Sequence, residues 1–226
     1  MPGLWPRISE NGTAWGTGKK YKQLSGMEAL DKAYWNARYE SGETEWDMGT
    51  VSPPLRDYID QLPNKNLRIL IPGGGNSYEA KYLWDAGFHD VTVLDISSVV
   101  IDRLKRQHEQ TGIKFETGDF FEHEAEYDLI IEQTFLCALD PSLRQAYARH
   151  MYDLLWEEGR LVGVLFNREF EAPGPPFGGG IKVYRRMFEP YFSFKTFAPC
   201  YNSHPARQGK EVFINFRKLD PLSRKR

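Results

Sequence analysis

The residues with the most evident chemical use lie in the middle of the chain. Three glycines, Gly73-Gly74-Gly75, follow the apolar run Leu67 to Ile71, and Asp95 ends a second apolar run 22 positions after Gly73. Glycines there let backbone N–H groups approach a bound molecule, and a carboxylate at the next strand end can accept hydrogen bonds from ribose hydroxyls. A tight turn with a solvated strand-end carboxylate would give the same pattern. A pyrophosphate on a helix N-terminus calls for G-x-G-x-x-G, whereas here Asn76-Ser77-Tyr78 follow and the bulky Tyr78 takes the place of the third glycine. The pattern favours a nucleotide without pyrophosphate and counts against the main alternative, an NAD(P)-dependent oxidoreductase.

S-adenosylmethionine meets that description, with a ribose diol, an adenine, an amino-acid end and a sulfonium cation. Asp119-Phe120 would supply an acceptor for the adenine amine and an apolar wall for its ring, although an ordinary loop with one core phenylalanine reads the same way. Trp35, Tyr39 and Trp46 could surround a cation with π-faces worth ~0.5 to 2 kcal/mol each. For Trp35 and Tyr39 the alternative is a helix stripe packed on the sheet. Cys137 and Cys200 lack the paired spacing of a thiolate zinc site and are expected as reduced core residues, with no metal. His204, just before Pro205, is the one suggestive base for oxygen methylation and is expected to be solvated. Amino-group methylation of nucleobases is disfavoured, because Glu132-Gln133-Thr134-Phe135 stands where an Asn-Pro-Pro-aromatic tetrad would be needed. Lys182, Arg185, Arg186 and Arg207 are candidates for steering an anionic acceptor.

Alternating strands and helices must position these groups. A helix is expected from Ala29 to Tyr39, stopped by Gly42, and an amphipathic helix from Leu55 to Leu62. Strands are expected at Leu67 to Ile71, Val91 to Leu94, Lys114 to Thr117, Leu129 to Ile131 and Leu161 to Phe166. The helices between them run from Tyr78 to Ala86, from Ser97 or Ser98 through Leu104, and from Asp140-Pro141 to near Gly159. A Gly/Pro loop from Pro173 to Gly180 and a short helix around Val183 to Phe188 follow. The runs Phe192 to Phe197 and Val212 to Phe216 then suit an antiparallel hairpin at one sheet edge. Five alternating units and this hairpin predict an α/β fold, a doubly wound, mostly parallel seven-stranded sheet with its ligand at the carboxyl ends of the strands.

Composition narrows the classes. The 226 residues are 41% hydrophobic, and 29 Lys and Arg against 31 Asp and Glu leave a formal charge of -2. A single domain over 27–220 is expected, after a flexible leader over 1–26 and before a frayed basic end over 221–226. No broad basic face awaits nucleic acid, and no apolar run approaches the ~18 to 20 residues of a membrane helix. The N-terminus lacks a secretory signal, so the protein is expected in the cytoplasm and the sequon Asn11-Gly12-Thr13 reads as a chance match. No heptad run demands a dimer, and a monomer is expected.

Six ordered motifs together resemble the thiopurine methyltransferase-like enzymes, most nearly their thiol and halide methyltransferase branch. They are Trp35 with Trp46-Asp47-Met48-Gly49, Pro72-Gly73-Gly74-Gly75, Val93-Leu94-Asp95-Ile96-Ser97, Gly118-Asp119, Phe135-Leu136-Cys137-Ala138-Leu139-Asp140-Pro141 and Gly174-Pro175-Pro176-Phe177. The resemblance runs from about Asp31 to about Leu219 and implies a Rossmann-like class I methyltransferase using S-adenosylmethionine. It implies that Trp35, Tyr39 and Trp46 cover the cofactor, Gly73 meets its amino-acid end and Asp95 its ribose. By the same resemblance Asp119 and Phe120 hold the adenine, and Glu132 lies near the amino group. Tyr39 stands where plant halide enzymes carry a second tryptophan, and Gly74 replaces a cysteine often found in the turn. Phe166 stands where some relatives have an aromatic hydroxyl donor, and Phe166 and Phe177 are the expected acceptor-pocket residues. The implied reaction is direct transfer to a small soft nucleophile, a thiol, sulfide, thiocyanate or halide, with no obligatory base. A catalytically silent domain that binds the cofactor is the remaining alternative.

Overall fold

The computed structural model describes residues 29–172 and 174–220. The expected leader over 1–26 and the basic end over 221–226 lie outside the described residues. Five strands of the sheet run parallel: β1 (Arg68–Pro72), β2 (Asp90–Asp95), β3 (Lys114–Thr117), β4 (Tyr127–Gln133) and β5 (Leu155–Phe166). β6 (Phe192–Pro199) and β7 (Glu211–Lys218) are antiparallel, and the order is β3-β2-β1-β4-β5-β7-β6. The last strand thus sits between β5 and β6. The strand order reverses between β1 and β4, where the carboxyl ends of two neighbouring strands diverge and open a crevice.

Both faces of the sheet are covered, which is why β1 and β2 read as continuous apolar runs. Ile69, Ile71, Val91 and Val93 point to one face, against Leu55 and Ile59 of α2 (Pro53–Asp60), Leu83 of α3 (Tyr78–Asp85) and Ile101 of α4 (Ser98–Gln107). Leu70, Ile130 and Leu161 point to the other. There they meet Tyr147 and Met151 of α5 (Arg144–Asp153) and Phe188 of α6 (Ile181–Phe188). Each such aliphatic side chain, removed from water, contributes about 1.5 to 3 kcal/mol.

α1 (Lys32–Ser41) lies outside these layers. Asp31 caps it by accepting the N–H groups of Ala33 and Tyr34, and Gly42 at φ 74° ends it. Its foothold is Asn36, whose Oδ1 accepts from the Ser97 hydroxyl at 2.7 Å at the start of α4.

The doubly wound sheet and its antiparallel edge are as expected from sequence; the join of α5 and β5 is not. The expected helix to Gly159 stops at Asp153 after a short 3₁₀ turn over Pro141–Leu143, and β5 begins at Leu155. Tyr127 of β4 pairs with Leu155 but Leu129 with Arg160, so Trp156 to Gly159 bulge out between paired residues. Leu155 is buried while Trp156 is 46% exposed. Burial of one leucine thus starts the strand ahead of a polar stretch that resembles a helix end. No helix among the described residues is long and apolar enough to cross a membrane.

Candidate active site

A cavity of about 440 Å³ opens at the carboxyl ends of β1, β2 and β4. Its floor is the glycine turn. Gly73 and Gly75 hold φ values of 56° and 52°, which favour glycine, and the turn leads through Ser77 into α3. Space also demands glycine here: a Cβ on Gly73 would enter the Phe135 ring, and one on Gly75 would lie 2.9 Å from the Tyr39 hydroxyl. A Cβ on Gly74 would lie 2.6 Å from Val93 Cγ1, so any side chain there would have to displace Val93.

Asp95 is buried at the end of β2. One carboxylate oxygen accepts the Gly75 N–H at 3.0 Å and the other the Ser97 N–H at 2.9 Å. Burial still raises its pKa against the pull of those bonds. The carboxylate therefore joins the glycine turn to the start of α4 and gains from any further donor on the cavity side. Asp119 holds the Phe121 N–H through Oδ1 at 2.8 Å, which places Phe120 edge-on to Phe135 at 5.1 Å.

The opposite wall comes from α1 and the loop after it. Trp46 meets both Trp35 and Tyr39 edge to face, at 5.7 and 5.8 Å between ring centroids. Asp47 fastens this loop to the turn: its Oδ2 accepts from the Asn76 amide and, at 3.1 Å, from the Tyr78 hydroxyl. Tyr78 is thus a tie between this loop, which with α1 forms a lid on the cavity, and α3, in the position where a dinucleotide site would need a third glycine. A second tie is Arg207, from the loop between β6 and β7, which donates to the Trp46 carbonyl at 2.6 Å. Arg207 is buried beside Glu211 at 3.4 Å, with its guanidinium 5.2 Å from the Phe166 ring centroid.

Of the residues expected at the site, Trp35, Tyr39, Trp46, Gly73, Asp95, Asp119, Phe120 and Phe166 line the cavity. Glu132 and Phe177 do not. Glu132 is fully buried beneath the wall, and its oxygens are taken by the Phe135 and Leu136 N–H groups and the Tyr147 hydroxyl. The next residue, Gln133, reaches the cavity instead, because neighbouring side chains on a strand point to opposite sides. Phe177 is turned inward with its N–H on the Cys137 carbonyl at 2.7 Å, and Pro175 and Pro176 form the wall in its place. Arg207 reaches the cavity, whereas Lys182, Arg185 and Arg186 on α6 do not, and His204 caps a short turn through Nδ1. Three residues gained importance only from the structure. Asp47 carries the lid ties, and Ser77 and Gln133 line the cavity and each hold a buried side-chain oxygen, Oγ and Oε1, without a hydrogen-bond partner.

Comparison with known proteins agrees with this geometry. The thiopurine S-methyltransferase (TPMT) family matches residues 30–224. A probable thiol methyltransferase 2 of Arabidopsis thaliana is 30% identical over 162 residues, 69% of this chain and 71% of that protein. Thiocyanate methyltransferase 1 of Brassica oleracea is 26% identical over 201 residues, 85% of this chain and 88% of that protein. In fold, the magnesium protoporphyrin IX methyltransferase of Synechocystis PCC 6803, solved with bound S-adenosylmethionine, superposes with a TM-score of 0.66 at 16% identity. The match covers 83% of this chain and 95% of that one. The family resemblance read from six motifs is borne out along nearly the whole described chain, and this protein belongs to the thiopurine S-methyltransferase family.

Proposed function

We propose that the protein is an S-adenosylmethionine-dependent methyltransferase whose acceptor is a small soft nucleophile, a thiol, sulfide, thiocyanate or halide. One observation carries the reading: an aromatic wall, a glycine turn and a buried strand-end carboxylate face one another across a single cavity. The donor set fits the ligand. Asp95 accepts the ribose hydroxyls, Asp119 Oδ2 the adenine amine, and Phe120 with Phe135 flanks the adenine ring. Gln133 Oε1, a buried acceptor without a partner, suits the α-ammonium, and the Ser77 hydroxyl suits the carboxylate. Trp35, Tyr39 and Trp46 present π-faces to the sulfonium.

When bound, the sulfonium supplies a methyl group: the acceptor's lone pair forms the new bond to carbon as the carbon–sulfur pair returns to sulfur, leaving S-adenosylhomocysteine. Positive charge and acceptor anion vanish together in this step, so a water-poor aromatic chamber favours it. The acceptor end is lined by Phe166, Phe170, Pro175 and Pro176 together with Arg168, Arg207 and Lys210. Phe166 and Phe170 meet edge to face at 5.1 Å and keep water from the reacting atoms. Arg207 draws the acceptor toward them as an anion. No side chain need remove a proton, since a thiol near pKa ~8.5 supplies thiolate by itself.

The test is an acceptor screen with S-adenosylmethionine and hydrogen sulfide, thiocyanate, iodide and thiophenol, read as volatile methyl sulfides, methyl thiocyanate and methyl halide. At least one methylated product is expected, with no binding of NADH. A protein that binds S-adenosylhomocysteine tightly yet methylates none of these overturns the reading.

A further inference from the structure

Four cations line the cavity, and their pairing divides them. Arg38 is held by Glu43 and Glu45, both at 3.0 Å, and Arg207 by Glu211 at 3.4 Å. Arg168 and Lys210 have no ion-pair partner among the described residues. Arg168 Nε donates to the Glu169 carbonyl and Lys210 Nζ to the Ala206 carbonyl, each at 3.2 Å, which occupies one donor of each and leaves the charge unmatched. Glu169 and Glu171, on the same loop as Arg168, do not line the cavity, and the Glu169 carboxylate lies toward Gly178 and acts on Tyr184.

One strand end brings the two unmatched cations together. Phe166, the last residue of β5, pairs with Glu211 of β7, and the next N–H, of Asn167, donates to the Lys210 carbonyl at 2.7 Å. Arg168 and Lys210 thus leave the end of the same ladder, both with exposed side chains. The Arg168 guanidinium lies 4.7 Å from the Phe170 ring centroid, and Phe170 meets Phe166 at 5.1 Å. Unmatched positive charge therefore stands beside the rings of the acceptor end. The cofactor does not use it: the one anion of S-adenosylmethionine is its α-carboxylate, assigned above to Ser77 at the glycine turn. A halide or thiocyanate carries a single charge, which Arg207 meets beside Phe166. Two further cations call for a further anion, and a guanidinium presents paired N–H groups that suit the two oxygens of a carboxylate.

We propose that the acceptor is a thiol carrying a separate carboxylate, which Arg168 and Lys210 bind while the sulfur lies against Phe166 and Phe170. This rests on the S-adenosylmethionine reading above and narrows its acceptor. The thiol gives its proton to solvent before attack. The thiolate lone pair then forms the bond to the methyl carbon as the carbon–sulfonium bond breaks and its electron pair stays on the cofactor sulfur. The products are a methylthio carboxylate, S-adenosylhomocysteine and the released proton. The carboxylate itself is unchanged and serves to position the sulfur.

The experiment compares 3-mercaptopropionate with 3-mercaptopropionamide, which match in size and differ in charge, as acceptors for the intact chain, Arg168→Gln and Lys210→Gln. The quantity read is the ratio of kcat/KM for the carboxylate over the amide, followed from parent to variant so that the intrinsic reactivity of the two thiols cancels. Each substitution is expected to lower the ratio about two- to fivefold through KM for the carboxylate, and the double substitution to lower it further. The parent's ratio is expected to fall as salt rises from about 0.05 to about 0.5 M. S-adenosylhomocysteine affinity is measured by calorimetry on the same samples, where binding close to the parent's shows that the variants are folded. A ratio unmoved in both single variants overturns the proposal. So does a loss of S-adenosylhomocysteine affinity in step with the ratio, which places these cations on the cofactor's own carboxylate. The two failures differ: a parent that binds no S-adenosylhomocysteine takes the cofactor reading down as well, whereas one that methylates thiocyanate or thiophenol with a ratio indifferent to Arg168 and Lys210 keeps that reading and loses only this one.

Discussion

The two ends of the cavity are built on different principles. Around the glycine turn, Asp95, Asp47 and Asn36 each hold backbone or side-chain donors from a second element, so the positions of strand ends, α1 and α4 are locked by directional bonds. Around Phe166 the wall consists of rings and prolines, with the buried Arg207 stacked on Phe166 and the exposed Arg168 and Lys210 beside them. The first end can fit one ligand closely because each of its groups has a fixed partner. In the function proposed above, the second end selects its acceptor by size, polarity and sign of charge. Arg207 alone belongs to both, with its bond to the Trp46 carbonyl and its stack on Phe166.

The sharpest way to break this contrast is Asp95→Asn. The amide keeps the side-chain volume, but its NH₂ faces N–H donors and cannot accept two ribose hydroxyls. Loss of charge-assisted bonds of about 1.5 to 3 kcal/mol corresponds to a fall of ~10 to 100-fold in affinity for S-adenosylhomocysteine, measured by calorimetry. An unchanged affinity would mean that the directional end does not hold the ribose.

A smaller, divided effect is expected for Arg207→Met. It raises KM for thiocyanate about three- to tenfold through the lost charge, raises KM for S-adenosylmethionine no more than about threefold through the lost Trp46 bond, and leaves a neutral thiol's KM nearly unchanged. Equal effects on all three would show that Arg207 serves only the lid. Smallest is Phe166→Tyr, which adds one hydroxyl to the acceptor wall. It should shift the ratio of kcat/KM for thiocyanate over thiophenol by about two- to fivefold while leaving cofactor affinity as it was.

The same contrast governs what was legible beforehand. The sheet and the turn were readable because their causes are local: a strand buried on both faces must be apolar at Ile69, Leu70 and Ile71 alike, and a turn pressed against Phe135 and Val93 must be glycine. Asp95 was readable because it ends a strand in register with β1. Which of Glu132 and Gln133 reaches the cavity depends on strand facing at one residue, and adjacent positions in a short strand leave that open. The ties from Asp47 to Asn76 and Tyr78 span about thirty residues and leave no periodic trace. Arg207 was among four cations of equal appearance until the fold brought its loop back over Trp46. The overlong helix before β5 has the same origin, since only pairing with Tyr127 starts the strand at Leu155.

Placement of β7 between β5 and β6 has a bearing on synthesis. On the ribosome, the glycine turn, the lid and most of the sheet emerge well before the strand that must slot into the gap at its edge. Until Glu211–Lys218 has left the exit tunnel, the hairpin has no second leg, and Arg207 has neither its Glu211 partner nor a fixed path to Trp46. A growing chain can thus assemble the end built around the glycine turn before the end built around Phe166, whose Arg207 waits for Glu211–Lys218.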